Sequence, residues 1–304
     1  MNDNASLNRS AAFASIAVAL LLVGMKVWAV FSTGSTAMLG SLADTTLDLV
    51  ASLATLAGVW VAAQPDDENH RFGHGKAEAL AAMFQVVLIS ISALSLAFRA
   101  VNQWIAGVRP EGAEGGIVVS VIAMVATVAL LGWQRYVIRK TKSLAISTDH
   151  VHYQSDILLN LAVIAALALD QYAGIAGADP FFGLAIALWL GWGAWGASQQ
   201  AIEQLMDHEW PEERRQAFLE VVARHPEIKG LHDLRTRTSG DRDFVQFHLA
   251  VNGDMTVRQA HVIMDEVEAI LKKEFPGVEI LIHPDPEGHV DPTDMSSEDL
   301  LAKL

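Results

Sequence analysis

Six long apolar stretches fill the first two thirds of the chain, at Ala11–Phe31, Ala37–Ala62, Ala79–Val101, Gly116–Trp133, Ser147–Leu169 and Phe181–Leu205. Each comes near the ~20 residues a helix needs to cross the ~30 Å hydrocarbon layer of a bilayer. The pattern therefore predicts six transmembrane helices over residues 1–206. The first follows a polar opening with Arg9, runs too long for a signal-peptide core and lacks a convincing small-residue cleavage site, so it is expected to stay in the membrane.

At Asp207 the continuous apolar pattern gives way to an amphipathic, charged one. Periodicity predicts a helix over Pro211–Arg224, strands over Gly230–Thr238 and Phe244–Val251, a helix over Thr256–Phe275 and a strand over Val278–His283, with Ser239-Gly240-Asp241 as the hairpin connection. This order suggests a small two-layer α+β domain over residues 207–290, with helices on one face of the sheet. Residues 291–304 read as a loosely ordered acidic tail.

Composition agrees with a membrane protein bearing a soluble appendage, since the apolar 52% of the 304 residues is bunched in the first part. From Asp207 onward, 21 acidic residues face 11 basic ones, so most of the chain's net charge of −14 lies there. Such charge disfavours nucleic acid as a partner and suits surroundings that meet cations. Basic residues in short connections set the orientation. Arg71 and Lys76 follow the second span and Arg135, Arg139, Lys140 and Lys142 the fourth, while the first and fifth connections have neither Lys nor Arg. Both termini are expected on the cytoplasmic side, with Arg99 and Arg109 near the third connection as a contrary signal. Trp28, Trp60, Trp104 and Trp133 fall near span ends, where indoles favour the interface.

Candidate chemistry sits inside the spans. Asp44 and Asp48 are four residues apart in the second, and His152 and Asp156 four apart in the fifth. Four residues advance about 400° around a helix, so each pair lies on one face and can converge with its counterpart on a neighbouring helix. An Asp at mid-membrane costs about 2.5–3.5 kcal/mol on insertion scales, so three of them call for a compensating ion, proton or water-filled cavity. Helix capping or an inter-helix hydrogen bond explains one such Asp more easily than the set of four. Cysteine is absent, which removes thiolate ligands. The remaining carboxylate and imidazole donors favour Zn²⁺, Fe²⁺ or Cd²⁺ over Cu(I), Mg²⁺ or Ca²⁺, with tetrahedral Zn²⁺ the best fit. Imidazole titrates near pH ~6.5 and crowded carboxylates repel one another, so protons should compete with the metal.

Two further clusters lie outside the spans. His70 and His74 flank Gly73 in a stretch that Gly73 and Gly75 make a turn, readable also as a solvated loop with incidental histidines. In the C-terminal part His232 begins one strand, His248 sits within the next and His283-Pro284-Asp285 ends the last, so several ligands can gather on one sheet surface. His261 is on the intervening helix. Any one of these alone reads as an ordinary surface histidine.

The two intramembrane pairs, the loop Asp66-Asp67-Glu68-Asn69-His70-Arg71-Phe72-Gly73-His74-Gly75-Lys76-Ala77-Glu78, the six spans and the small C-terminal domain together resemble the cation diffusion facilitator family, especially its bacterial zinc and ferrous-iron efflux members. The resemblance covers nearly the whole chain. It implies a homodimer in the inner membrane that exports a divalent cation from the cytoplasm in exchange for protons, by alternating access and without enzymatic turnover. It places the transport site on Asp44, Asp48, His152 and Asp156. Asp at the first position resembles members that tolerate Cd²⁺ and Fe²⁺, and the histidine argues against the all-carboxylate arrangement suited to Mn²⁺. The family pattern adds Asp67 to His70 and His74 as a loop site and pairs Lys76 with Asp207 at the end of the sixth span. It also implies a ferredoxin-like, metallochaperone-like C-terminal domain that binds metal at the dimer interface through His232, His248, His261, His283 and Asp285.

Lys26 is expected to snorkel toward the outer interface, and Gly183, Gly191, Gly193 and Gly196 to permit close helix packing. His150 and His208 match no ligand position and read as structural. A membrane metal sensor and an intramembrane metalloenzyme are the competing readings. The second needs a general base and an open water position, and no His-Glu-x-x-His motif is present.

Overall fold

The computed structural model describes residues 3–33, 36–106, 117–173, 178–289 and 299–301. Six long helices come first: α1 (Asp3–Thr33), α2 (Thr36–Ala62), α3 (Ala77–Ala106), α4 (Ile117–Thr141), α5 (Leu144–Ala173) and α6 (Ala178–Leu205). The chain divides into two compact units, Met1–Ile202 and Glu203–Leu304.

The helical unit distributes its side chains in the sense a lipid solvent selects. Phe31 and Trp192 are 87% and 79% exposed, and Trp28, Trp60 and Trp104 also lie on the outer surface. Ala11, Ala12, Ala79 and Ala82 are buried between helices together with Ser15, Gln85, Gln134 and Asp149. Small residues let helices approach closely where lipid gives large apolar groups no reason to leave the surface. Among the described residues, α1, α2, α3 and α6 each contain a window long and apolar enough to cross a membrane. α4 and α5, 25 and 30 residues long, complete the set of six.

α1 packs on α2 and α4, α2 on α3 and α5, and α5 on α3 and α4. The tightest approach at a glycine is one the sequence pattern gave no reason to single out. A Cβ on Gly58 of α2 would sit 2.3 Å from Ala81 Cβ and 3.1 Å from the Ala77 carbonyl oxygen of α3. Of the four α6 glycines expected to serve packing, Gly183 and Gly193 do so, with a Cβ there meeting Ala100 at 3.3 Å and Val151 at 3.1 Å. Gly191 and Gly196 do not, since a Cβ at either would meet nothing within 4 Å.

The second unit contains α7 (Glu212–Val222), β1 (Gly230–Ser239), β2 (Arg242–Val251), α8 (Val257–Glu274) and β3 (Val278–Pro286). Its sheet has the order β1-β2-β3, with β1 antiparallel and β3 parallel to the central β2. The parallel pair needs a crossover, which α8 supplies. α8 opens with a capping box in which Thr256 accepts from the Gln259 backbone N–H while the Gln259 side chain accepts from that of Thr256. Val245, Phe247, Leu249 and Val251 alternate along β2 and join Phe218, Val222, Val267, Leu271 and Ile282 in one core. A strand turns successive side chains to opposite faces, so His248 lies on the face away from that core. β3 runs three residues past its expected end, and the two prolines it takes in are tolerated because β3 is an edge strand. Most of the tail lies outside the described residues, but Asp299–Leu301 do not hang loose. The Leu300 backbone N–H donates to the Leu231 oxygen at 2.8 Å, and Leu300 and Leu301 pack against the core.

Candidate metal centres

Within the helical unit, α2 and α5 bring Asp48, His152 and Asp156 together, with one ligand atom of each within 4.8 Å of the others. His152 Nε2 lies 2.9 Å from Asp48 Oδ1, and the imidazole is almost wholly enclosed. Just beside it Tyr153 is fully buried, its hydroxyl 2.8 Å from Ser52 Oγ and donating to the Ser15 carbonyl at 3.2 Å. These bonds tie α5 to α1 and α2 and fix the face that α5 presents. Asp44, four residues before Asp48 on α2, is not drawn into this group. Its carboxylate is exposed and lies 3.8 Å from the Arg99 guanidinium of α3. Lys26 also departs from expectation: its ammonium donates to Thr45 Oγ1 on α2 instead of reaching outward without a partner.

The loop between α2 and α3 gathers Asp67, His70 and His74. His70 Nδ1 is 3.1 Å from Asp67 Oδ1, His74 Nε2 is 3.4 Å from Asp67 Oδ2, and the two rings are 4.5 Å apart. The turn that achieves this uses Gly73 at φ 76°, a left-handed conformation that suits glycine, before α3 begins at Ala77. The His70 backbone N–H, with that of Asn69 and the His70 ring, holds the Asp67 carboxyl below the usual carboxylate range.

In the C-terminal unit the sheet register does the gathering. His232 of β1 pairs with His248 of β2, which pairs with His283 of β3, so the three stand in a row across the sheet. Asp285 is buried among them, with Oδ2 at 2.8 Å from His248 Nδ1 and 3.3 Å from His232 Nε2, and Oδ1 at 3.3 Å from His283 Nε2. His232, His248 and Asp285 bring one ligand atom each within 4.8 Å of the others, two imidazoles and a carboxylate of the kind that suits Zn²⁺, while His283 reaches Asp285 from the exposed side of the row. His261 stands outside this row. It is exposed on α8 and lies 3.1 Å from its neighbour Asp265. Asp207 meets Arg237 of β1 at 3.5 Å.

Two acidic residues near these centres escaped the sequence reading. Asp233 sits in the β1 bulge at φ 48°, is nearly buried, and places Oδ2 3.9 Å from His248 Nε2 while Arg235 holds it at 2.7 Å. A bulge shifts the alternation of a strand, so the sequence pattern by itself does not show on which face Asp233 falls. Asp149 is fully buried on α5. Its spacing of three before His152 was the available signal, since positions three apart share a helix face.

The family model of the cation efflux transmembrane domain matches residues 12–206, and that of the cation efflux protein cytoplasmic domain matches residues 210–287. The chain is 42% identical over 285 residues to the cation-efflux pump FieF of Cronobacter sakazakii, covering 94% of this chain and 95% of that one. It is 43% identical over 283 residues to the FieF of Klebsiella pneumoniae, covering 92% and 93%. Among solved structures, the zinc form of CzrB, described as a candidate zinc transporter, is 42% identical with a TM-score of 0.25, covering 28% of this chain and 98% of its own. The metal-bound C-terminal domain of the CzcD transporter from Thermotoga maritima is 24% identical with a TM-score of 0.25, covering 27% and 100%. The chain belongs to the cation efflux family, the cation diffusion facilitators. It is a multi-pass membrane transporter of metal cations, with a cytoplasmic domain of the kind through which such transporters dimerise.

Proposed function

We propose that the protein exports a divalent cation from the cytoplasm, Zn²⁺ foremost with Fe²⁺ and Cd²⁺ as further cargo, in exchange for protons. The supporting observation is the cluster of Asp48, His152 and Asp156, two carboxylates and an imidazole facing one another between two membrane helices. Two like charges and an imidazole enclosed this way gain most from a divalent ion, and when the ion leaves they gain most from protons. Metal and protons thus exclude each other at one site. If that site opens to each side of the membrane in turn, an inward proton gradient drives the metal outward. Asp44 serves as the fourth ligand in the state where α2 and α5 close around the ion, and its contact with Arg99 is the alternative it leaves.

The transporter works as a homodimer in the inner membrane with both termini in the cytoplasm, residues 1–206 conducting and 207–290 regulating. His232, His248, His283 and Asp285 hold regulatory Zn²⁺ against the sheet, and His261 reaches it from the second copy. Asp67, His70 and His74 form a loop site. The experiment that tests this reading is zinc flux into proteoliposomes of the purified protein. Concentrative uptake against a gradient marks a transporter; metal binding without flux marks a sensor.

A further inference from the structure

β1 is an edge strand, so alternate residues turn their backbone N–H and C=O away from β2. At Leu231 both groups are taken by the far end of the chain. The Leu231 N–H donates to Asp299 Oδ1 at 3.1 Å, and the Leu231 oxygen accepts from the Leu300 N–H at 2.8 Å. Asp299 Oδ1 also accepts from the Leu301 N–H at 3.0 Å, which bends the segment over the strand. Leu300 and Leu301 pack against the core in which Leu231 is fully buried. Glycine at position 230 leaves room for the contact, since a Cβ there would lie 3.0 Å from Asp299 Oδ2.

The residue after Leu231 is His232. Pairing of β1 with β2 breaks between His232 and Arg235, where Asp233 takes φ 48°. The bulge therefore separates the short piece Gly230–His232 from the rest of its strand. That piece is held by β2 along one side and by Asp299–Leu301 along the other. Its placement decides whether the His232 imidazole meets His248 and Asp285, which lie on the next two strands.

We propose that Asp299–Leu301 form a clip that positions His232 for metal, so that docking of the tail and binding of a divalent cation by His232, His248 and Asp285 strengthen each other. The inference rests on the reading of those three residues as a metal site. Coupling between two binding events is reciprocal, so each must raise the other by the same factor. An ordinary hydrogen bond is worth about twofold to tenfold in an equilibrium constant, and the clip makes two across the gap to β1. Opening the clip therefore weakens zinc binding at the sheet by at least about threefold.

The test is hydrogen–deuterium exchange of the full-length protein in detergent over a zinc titration, read in the peptides that carry His232 and Leu300. In the intact chain zinc is expected to slow exchange of the Leu300 and Leu301 amides at least about threefold, although neither residue is a ligand. Asp299→Ala is expected to remove that effect and to raise at least about threefold the zinc concentration that half-protects the His232 peptide. Asp299→Asn, which keeps the acceptor oxygen, is expected to behave as the intact chain does. Gly230→Ala, which crowds Asp299 from the strand, takes the place of Asp299→Ala if that variant does not fold. Tail amides indifferent to zinc overturn the proposal, and so does an unchanged half-protecting concentration in Asp299→Ala. His248→Ala runs alongside. Zinc protection of the His232 peptide that is absent from the intact chain, or that survives in His248→Ala, refutes the sheet-site reading itself. Protection lost in His248→Ala but untouched by Asp299→Ala refutes only the clip.

Discussion

His152 Nε2 and Asp48 Oδ1 lie 2.9 Å apart, joining α5 to α2 across 104 residues of sequence inside a membrane unit. Neither side chain would be placed there for stability, since an ion pair taken out of water seldom recovers its full desolvation cost. With Asp156 beside them, two carboxylates and an imidazole converge on one point, which is the feature that calls for a cation.

Asp48→Ala and Asp156→Ala should each lower zinc flux by more than about a hundredfold, since each removes a charged ligand from a site with few others. Both variants should remain folded dimers, because relieving buried like charge does not unfold the helices around it. Flux in purified variants, with size-exclusion chromatography to check the dimer, measures this.

Asp44 points to selectivity. Exposed and 3.8 Å from Arg99 here, it must move to join the triad. Asp44→His, which replaces a permissive carboxylate with an imidazole, should raise the ratio of Zn²⁺ to Cd²⁺ flux several-fold. Competition flux with both ions present reads the ratio directly, and no change in it would place Asp44 outside the site in every state.

The sheet histidines should act on association before they act on transport. An ion bound by the assembled form and not by separated copies stabilises assembly by mass action. His248→Ala with His283→Ala should therefore abolish the zinc dependence of dimerisation in the domain from residue 207 onward and reduce transport only partly. Analytical ultracentrifugation of that domain, which has its own core, measures the first. Dimerisation equally sensitive to zinc after both replacements would remove metal from this surface.

Gly58→Ala should destabilise the membrane unit by about 1–3 kcal/mol, because the new methyl would overlap Ala81 of α3 and force the helices apart. A lower thermal midpoint in detergent checks it. The same substitution at Gly196, where a Cβ meets nothing within 4 Å, should leave the midpoint nearly unchanged.

Spacing along the chain made part of this structure legible. Asp48, His152 and Asp156 were visible because helical periodicity turns a four-residue interval into a shared face. The row of His232, His248 and His283 was legible only as three histidines on three strands, since the register that aligns them depends on the β1 bulge and on β3 pairing parallel through α8. Asp149 was passed over because one segment of sequence does not show which helices will enclose it, and only the partners from α1, α3 and α4 reveal what its carboxyl meets. Gly58 was missed for a similar reason: close approach is a property of two helices, and one sequence segment carries no mark of which face its neighbour will press. The α6 glycines gave the reverse error, where a plausible packing motif met a partner at Gly183 and Gly193 only.

Coupling of metal to protons is the central claim, and zinc flux with an imposed pH gradient tests it most directly. In proteoliposomes carrying a proton gradient opposed to zinc movement, zinc transport should accelerate, and the compartment that zinc leaves should acidify as protons move the other way. Zinc flux that is indifferent to collapse of the gradient, with no pH change on the side the metal leaves, would contradict exchange and leave passive facilitated movement in its place.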